Sequence, residues 1–233
     1  AVLAEVLARD VVTRAEVAEA TGLSKPTVSA SFVRLETAGL VTATGARTGL
    51  RGRVATDYAL APGAGWVLAL DVDQDGVRAW SADLRGEVIA TVEEPPVPQG
   101  DTSAMVNLLR TVVRRAVRSG TAAHGPVRAL ALSVANAVSP ATGEVLALPE
   151  TPFAEGIVAP ARILAGVVDA PVLVDNHVNL AVLAERAEGA AVGLDDVAYV
   201  FVGAGIGAGL VVGGRLVRGA RGLAGGGGYL AGG

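Results

Sequence analysis

Two sets of residues in this 233-residue chain have the types and spacing for chemistry with phosphates. The first is Ser24, Lys25, Thr27 and Ser29, followed by Arg34 and by Arg47, Arg51 and Arg53 in a glycine-rich stretch. Hydroxyl, ammonium and guanidinium groups are the donors that hold phosphates and base edges of duplex DNA. The second is Gly203-Ala204-Gly205-Ile206-Gly207, which has the look of a dinucleotide fingerprint. That fingerprint needs a further glycine three positions after the second, with a helix behind it to aim its N-terminus at a pyrophosphate. Ala208 stands there and Leu210-Val211-Val212 is strand-like, so a hairpin is expected rather than a Rossmann site. Zero cysteines remove thiol nucleophiles, disulfides, Cys-based zinc sites and iron–sulfur clusters, and neither a resident metal nor a cofactor is expected.

The elements that must position the first set are readable. Ala1–Ala8 is apolar-periodic; Arg14–Ala20 follows Thr13, an N-cap with Glu16 three residues later as a capping box; Ser24 caps a third run, Lys25–Ala38. Thr21-Gly22-Leu23 makes the turn between the second and third runs, and Pro26 falls in a first turn, where a missing N–H costs nothing. This is helix-turn-helix geometry, whose second helix enters the major groove by its N-terminal residues. Gly39–Ala43 and Ala55–Leu60 read as short strands around the basic loop 44–53, which makes a wing. Residues 1–60 carry net charge +1 against −4 for the whole chain, and Ser24–Arg53 holds five bases to one acid, Glu36. That local excess fits a phosphate-facing surface.

Pro62-Gly63-Ala64-Gly65 marks a boundary, giving domains 1–62 and 63–233. Beyond it, Val67–Asp71, Val77–Ala82 and Glu87–Val92 read as a meander. Thr102–Arg118 reads as an amphipathic helix, Val127–Val134 as a buried strand, Ala159–Val167 as a helix, Pro171–Asp175 as a strand and Val178–Gly189 as a helix. Val197–Val202 and Ile206–Val212 pair as a hairpin, with Gly213-Gly214 turning into Arg215–Val217. The pattern is α/β with a mixed sheet. Val197 to Gly214 is 18 residues without a charge, the lower limit for a membrane span, but six glycines argue against a helix. With 51% hydrophobic and 18% charged residues, and an opening segment that lacks the apolar core of a signal peptide, the chain reads as soluble and cytoplasmic.

Thr13–Val41, Leu70-Asp71-Val72, Asp175-Asn176-His177-Val178-Asn179-Leu180-Ala181, and Gly203–Gly209 followed by Gly219-Ala220-Arg221-Gly222-Leu223-Ala224-Gly225, together resemble the ROK family of repressors, open reading frames and sugar kinases. The likeness is to its transcriptional branch, of xylose-repressor and N-acetylglucosamine-repressor type. The resemblance implies a winged helix followed by an actin-like ATPase (ribonuclease H-like) domain. It also implies that this domain is incomplete here, the chain stopping before the Cys-rich zinc motif that members commonly carry.

The departures from the family pattern imply a regulator without kinase activity and without catalytic residues. Where the kinases have a small-residue phosphate loop, this chain has Asp71-Val72-Asp73-Gln74-Asp75-Gly76, and the extra carboxylates repel a triphosphate. His177 stands where the kinases have their general base. A sugar-binding Glu/His motif is matched by Ala224-Gly225-Gly226-Gly227-Gly228-Tyr229, which lacks both side chains. Glu150, Asn176, His177, Gly205 and Tyr229 remain as polar lining for a polyol, although Asn176 also fits a local role as a helix cap. The expected partners are a double-stranded DNA operator, a sugar or sugar-derivative effector and a second copy of the chain. The alternatives are a hexose kinase with a fused DNA-binding domain, and a ligand-independent degenerate member of the family.

Overall fold

The structure is a computed structural model that describes residues 1–48, 54–73, 75–98, 100–146, 157–203 and 205–226. By contact density the chain forms two compact units, one of Ala1–Val67, Ala82–Ile89 and Arg118–Arg128, the other of Leu68–Ser81, Ala90–Val117 and Ala129–Gly233.

The first unit begins with α1 (Val2–Ala8), β1 (Val12–Thr13), α2 (Arg14–Thr21), α3 (Lys25–Thr37), β2 (Val41–Thr48) and β3 (Val54–Leu60). The capping box forms as the spacing predicts: the Thr13 hydroxyl accepts from the Glu16 N–H at 3.2 Å and the Glu16 carboxylate accepts from the Thr13 N–H at 2.6 Å. Gly22 closes α2 in the left-handed region at φ 68°, and the Ser24 hydroxyl then caps α3. The three strands lie in the order β1-β3-β2, a winged helix-turn-helix. Its core is Val2, Val6, Val12, Val17, Val28, Phe32, Val41 and Tyr58. The Phe32 and Tyr58 rings meet at 4.5 Å, and the Arg14 guanidinium lies over both, 5.0 Å from Tyr58 and 5.7 Å from Phe32. Arg14 is thereby a core-facing cation rather than a phosphate ligand.

The strands that follow are β4 (Trp66–Asp73), β5 (Gly76–Asp83) and β6 (Val88–Glu94), then α4 (Thr102–His124), β7 (Val127–Val134), α5 (Pro160–Leu164), β8 (Val172–Asn176) and α6 (His177–Glu188). The sheet order is β6-β5-β4-β7-β8, with β7 and β8 parallel from Leu130↔Val172 to Val134↔Asn176. The mixed α/β expectation holds. Helix α4 runs six residues past its expected end at Arg118, through Ser119 and Gly120, two weak helix formers. Packing overrides propensity there: a Cβ on Gly120 would overlap the fully buried Trp66 indole, whose N–H donates to the Gly125 carbonyl at 3.1 Å.

Strands β9 (Val197–Val202), β10 (Ile206–Val212) and β11 (Arg215–Leu216) form a second sheet in the order β11-β10-β9, with Gly213-Gly214 in the turn. The uncharged stretch is therefore a hairpin, and no helix among the described residues is long and apolar enough to cross a membrane. Helix α6 lies so close to β10 that a Cβ on Gly209 would overlap the Val178 carbonyl. Val200, Val202 and Ile206 project from the hairpin exposed, so it is apolar on both faces.

Truncating Phe32 to Ala removes a fully buried ring from between Arg14, Tyr58 and the helices, and is expected to cost about 3–5 kcal/mol. The urea midpoint of the circular dichroism signal measures it; a midpoint unchanged from the parent would contradict this core.

Candidate nucleic-acid interface and ligand site

On α3 the buried positions are Val28 and Phe32, which turns Lys25, Thr27 and Arg34 outward, all exposed, and leaves Ser29 half-buried. Ser24 accepts from the Thr27 N–H at 3.3 Å and its hydroxyl lies 2.8 Å from that of Thr27, so these two are shared between capping and any reading of DNA. Two neighbouring bases are paired. Arg9 pairs with Glu5 at 3.0 Å and Arg14 with Glu36 at 3.6 Å. Among the described residues Lys25 and Arg34 take part in no ion pair, so both leave their positive charge on the outer face of α3.

Arg47 departs from its expected place. Strand β2 extends to Thr48, so Arg47 lies on a strand rather than in the loop, its Nε donating to Asp57 Oδ1 at 2.5 Å and its Nη1 3.4 Å from Glu16 Oε1. The Asp57 hydrogen bond, ahead of the nearby negative charges, raises its pKa. The Thr13 N–H, helped by Arg47, holds the Glu16 carboxyl below its usual range. Arg47 thus ties the wing to α2. Arg51 and Arg53 lie outside the described residues.

The second unit gathers a polar cluster at the C-terminal ends of its parallel strands, where open α/β sheets bind ligands. Asp175, buried, accepts on Oδ1 from the Asn176 N–H and Asn179 Nδ2, each at 2.8 Å, and on Oδ2 from Arg218 Nε at 2.8 Å and Nη2 at 2.7 Å. Asn176 caps α6, its Oδ1 accepting from the Val178 N–H at 3.0 Å while its Nδ2 donates to the Asn136 carbonyl at 2.9 Å. The local role weighed for Asn176 is thus present. The His177 ring meets Phe201 tilted, with centroids 5.0 Å apart, and burial lowers its pKa against the upward pull of Asp71 and Asp73. Those carboxylates share one cation: Arg78 Nη2 lies 2.8 Å from Asp71 Oδ2 and 2.8 Å from Asp73 Oδ2.

The structure therefore sets His177, next to the Asn176 cap, within electrostatic reach of Asp71 and Asp73. Gly205 is exposed in the β9–β10 turn, whose Gly203 N–H donates to its carbonyl at 2.9 Å. Glu150 and Tyr229 lie outside the described residues. Among the described residues no group of His, Asp and Glu is placed to hold a metal ion. Sequence reasoning missed Arg78 and Arg218. A tight turn between two strands sets residues 71 and 78 abreast, so Arg78 was findable from spacing. Arg218 reaches Asp175 from 43 positions away, and no local pattern announces that.

A family profile described as ROK family matches residues 67–231, and one described as MarR family matches residues 1–52. The chain is similar to a xylose repressor from Caldicellulosiruptor bescii, 25% identical over 212 residues, covering 91% of this chain and 52% of that one. Among solved structures, a ROK family transcriptional regulator described as a homologue of the E. coli MLC protein superposes with TM-score 0.74 at 20% identity, over 92% of this chain and 54% of that one. A ROK family glucokinase from Streptomyces griseus, in complex with glucose and AMPPNP, gives 0.56 at 26% identity, over 69% and 49%. The chain spans about half the length of these relatives.

The lowered pKa of His177 carries a pH dependence. Below its ordinary value of 6.5 the unfolded chain takes up a proton that the folded one resists, so the His177 contribution is complete above that pH and falls away as pH drops toward the folded value. Urea midpoints of the parent and of His177→Gln should therefore diverge in their pH dependence below about pH 6.5, the parent losing more; parallel curves would contradict the assignment.

Proposed function

The chain belongs to the ROK family, and from that premise we propose that it is a DNA-binding transcriptional regulator, a sugar-responsive repressor that does not phosphorylate sugars. Residues 1–62 form its DNA-binding domain and residues 63–233 its effector-binding domain. The observation that carries the reading is the outer face of α3, where Lys25 and Arg34 stand exposed, without ion-pair partners among the described residues, on a helix whose opposite face is locked into the core. Such a helix presents donors to a groove at fixed spacing. The likeness to a xylose repressor and to a ROK transcriptional regulator supports the same reading.

Two features argue against phosphoryl transfer. Arg78 is already engaged by Asp71 and Asp73, at the turn that stands where the family's kinases have a phosphate loop, so its charge is spent on internal carboxylates. His177, half-buried with a lowered pKa, is a neutral imidazole packed against the Phe201 ring at neutral pH. Beside the internally bonded Asp175 and Asn176, the His177 imidazole instead offers a directed hydrogen bond of the kind that holds a polyol. An effector bound there acts by preferring one arrangement of the protein over another. Pairing of two copies on two half-sites completes the proposal, since helix-turn-helix proteins read DNA that way.

Lys25→Ala combined with Arg34→Ala is expected to weaken binding to duplex DNA by about tenfold or more in low salt, with a shallower salt dependence. Fluorescence anisotropy measures it, and equal affinity of parent and variant would sink the reading. Incubation with ATP, Mg²⁺ and a panel of hexoses and pentoses is expected to give no sugar phosphate. Turnover abolished by His177→Ala would establish a kinase instead.

A further inference from the structure

The compact unit that holds the winged helix also includes Ala82–Ile89 and Arg118–Arg128, which belong to the stretch matching the ROK family. Each of these segments delivers one arginine to the end of one helix.

Helix α1 ends without a closing motif of its own. Its C-cap, Arg9, is extended at φ −132°, and no glycine follows to fold the chain back onto the last carbonyls. Those carbonyls need outside donors. Arg85 supplies them, Nη1 to the Leu7 carbonyl at 3.1 Å and Nη2 to the Arg9 carbonyl at 3.3 Å. The turn that carries it is fixed, Asp83 Oδ1 accepting from the Arg85 N–H at 2.8 Å and the Glu87 N–H at 3.0 Å.

Helix α3 does fold back, with the Gly39 N–H on the Glu36 carbonyl and the Leu40 N–H on the Leu35 carbonyl, both at 2.9 Å. The carbonyl of its C-cap, Ala38, accepts from Arg128 Nη2 at 3.1 Å. Arg128 Nε donates at 2.6 Å to the Ala64 carbonyl, so one guanidinium joins the end of α3 to the segment between β3 and β4. Gly65 makes the approach possible: a Cβ there would lie 2.7 Å from Arg128 Cγ and 2.8 Å from its Nε. A cation at each helix C-terminus is also favoured by the helix dipole.

We propose that Arg85 and Arg128 are positioning residues of the DNA-binding unit. They hold the ends of α1 and α3, so that the face carrying Lys25, Thr27 and Arg34 meets the groove at a set angle, without themselves touching DNA. The proposal rests on the DNA-binding reading and goes beyond it, because it assigns part of the recognition geometry to residues outside positions 1–62.

The test uses the 233-residue chain with Arg128→Ala, Arg128→Lys and Arg85→Ala. The probes are a duplex enriched by the parent chain from a random-sequence pool and a scrambled duplex of the same composition, bound well below each variant's melting temperature. Arg128→Ala is expected to lose about tenfold in affinity for the enriched duplex, with unchanged affinity and salt slope on the scrambled one, because phosphate contacts survive while base contacts lose their register. Arg128→Lys, with one ammonium for two carbonyls, should lose less. A role in stability alone leaves the ratio of the two affinities untouched. Unchanged affinities, or a parallel fall on both duplexes, would overturn the proposal. If Arg128→Ala does not fold, Arg128→Lys and Arg85→Ala are judged by the same ratio. A parent chain that enriches no duplex overturns the DNA-binding reading and this one with it; an enriched duplex bound equally by every variant overturns this one alone.

Discussion

A carboxylate taken out of water must be given partners, and in the second unit that requirement organises the residues around Asp175. Its two oxygens gather the start of α6 through the Asn176 N–H and Asn179, and the segment after β11 through Arg218. Removing one member of such a cluster costs far more than the pair would gain if exposed, since the remaining charge is stranded. The placement of Asn176 and His177 is thus a by-product of holding the unit together. Asn176 is both a helix cap and a tie to the Asn136 carbonyl, and His177 inherits its position from being the first residue after that cap.

The same economy of charge runs through the arginines. Arg14 lies over two rings, Arg47 bridges the wing to α2, Arg78 joins two carboxylates, and Arg218 satisfies Asp175. Counting bases along the first sixty residues therefore overstates the charge available to an anionic partner. What matters is which cations are left over, and α3 carries Lys25 and Arg34. An exposed, uncommitted cation attracts phosphate at the range of a Debye length, whereas a bridged one is largely cancelled.

Much of this was legible in the sequence where the cause is local. The Thr13–Glu16 box, the Ser24 cap and the Gly22 turn each depend on residues within four positions of one another, and each appears where the pattern put it. The ROK-like motifs pointed to the family that the comparisons establish. What could not be read depends on distance. The last turns of α4 exist because Trp66 packs against Gly120, 54 positions away. The alternating glycines looked suited to phosphate, but Gly209 is small because the Val178 carbonyl of α6 presses on it. The hairpin is readable from the sequence, and its uncharged run reaches the length of a membrane span because both of its faces are apolar. Arg47 was placed in a loop because nothing local told how far β2 would run.

The chain has two tryptophans, and they fall in different compact units, Trp66 in the first and Trp80 in the second. Trp66 is wholly shielded, with its indole N–H on the Gly125 carbonyl, while Trp80 is half-buried. Their emission spectra therefore differ, the shielded indole at shorter wavelength. Each is also an intrinsic optical label for its own unit, so that with Trp80 replaced by Phe the remaining fluorescence follows the winged-helix unit alone.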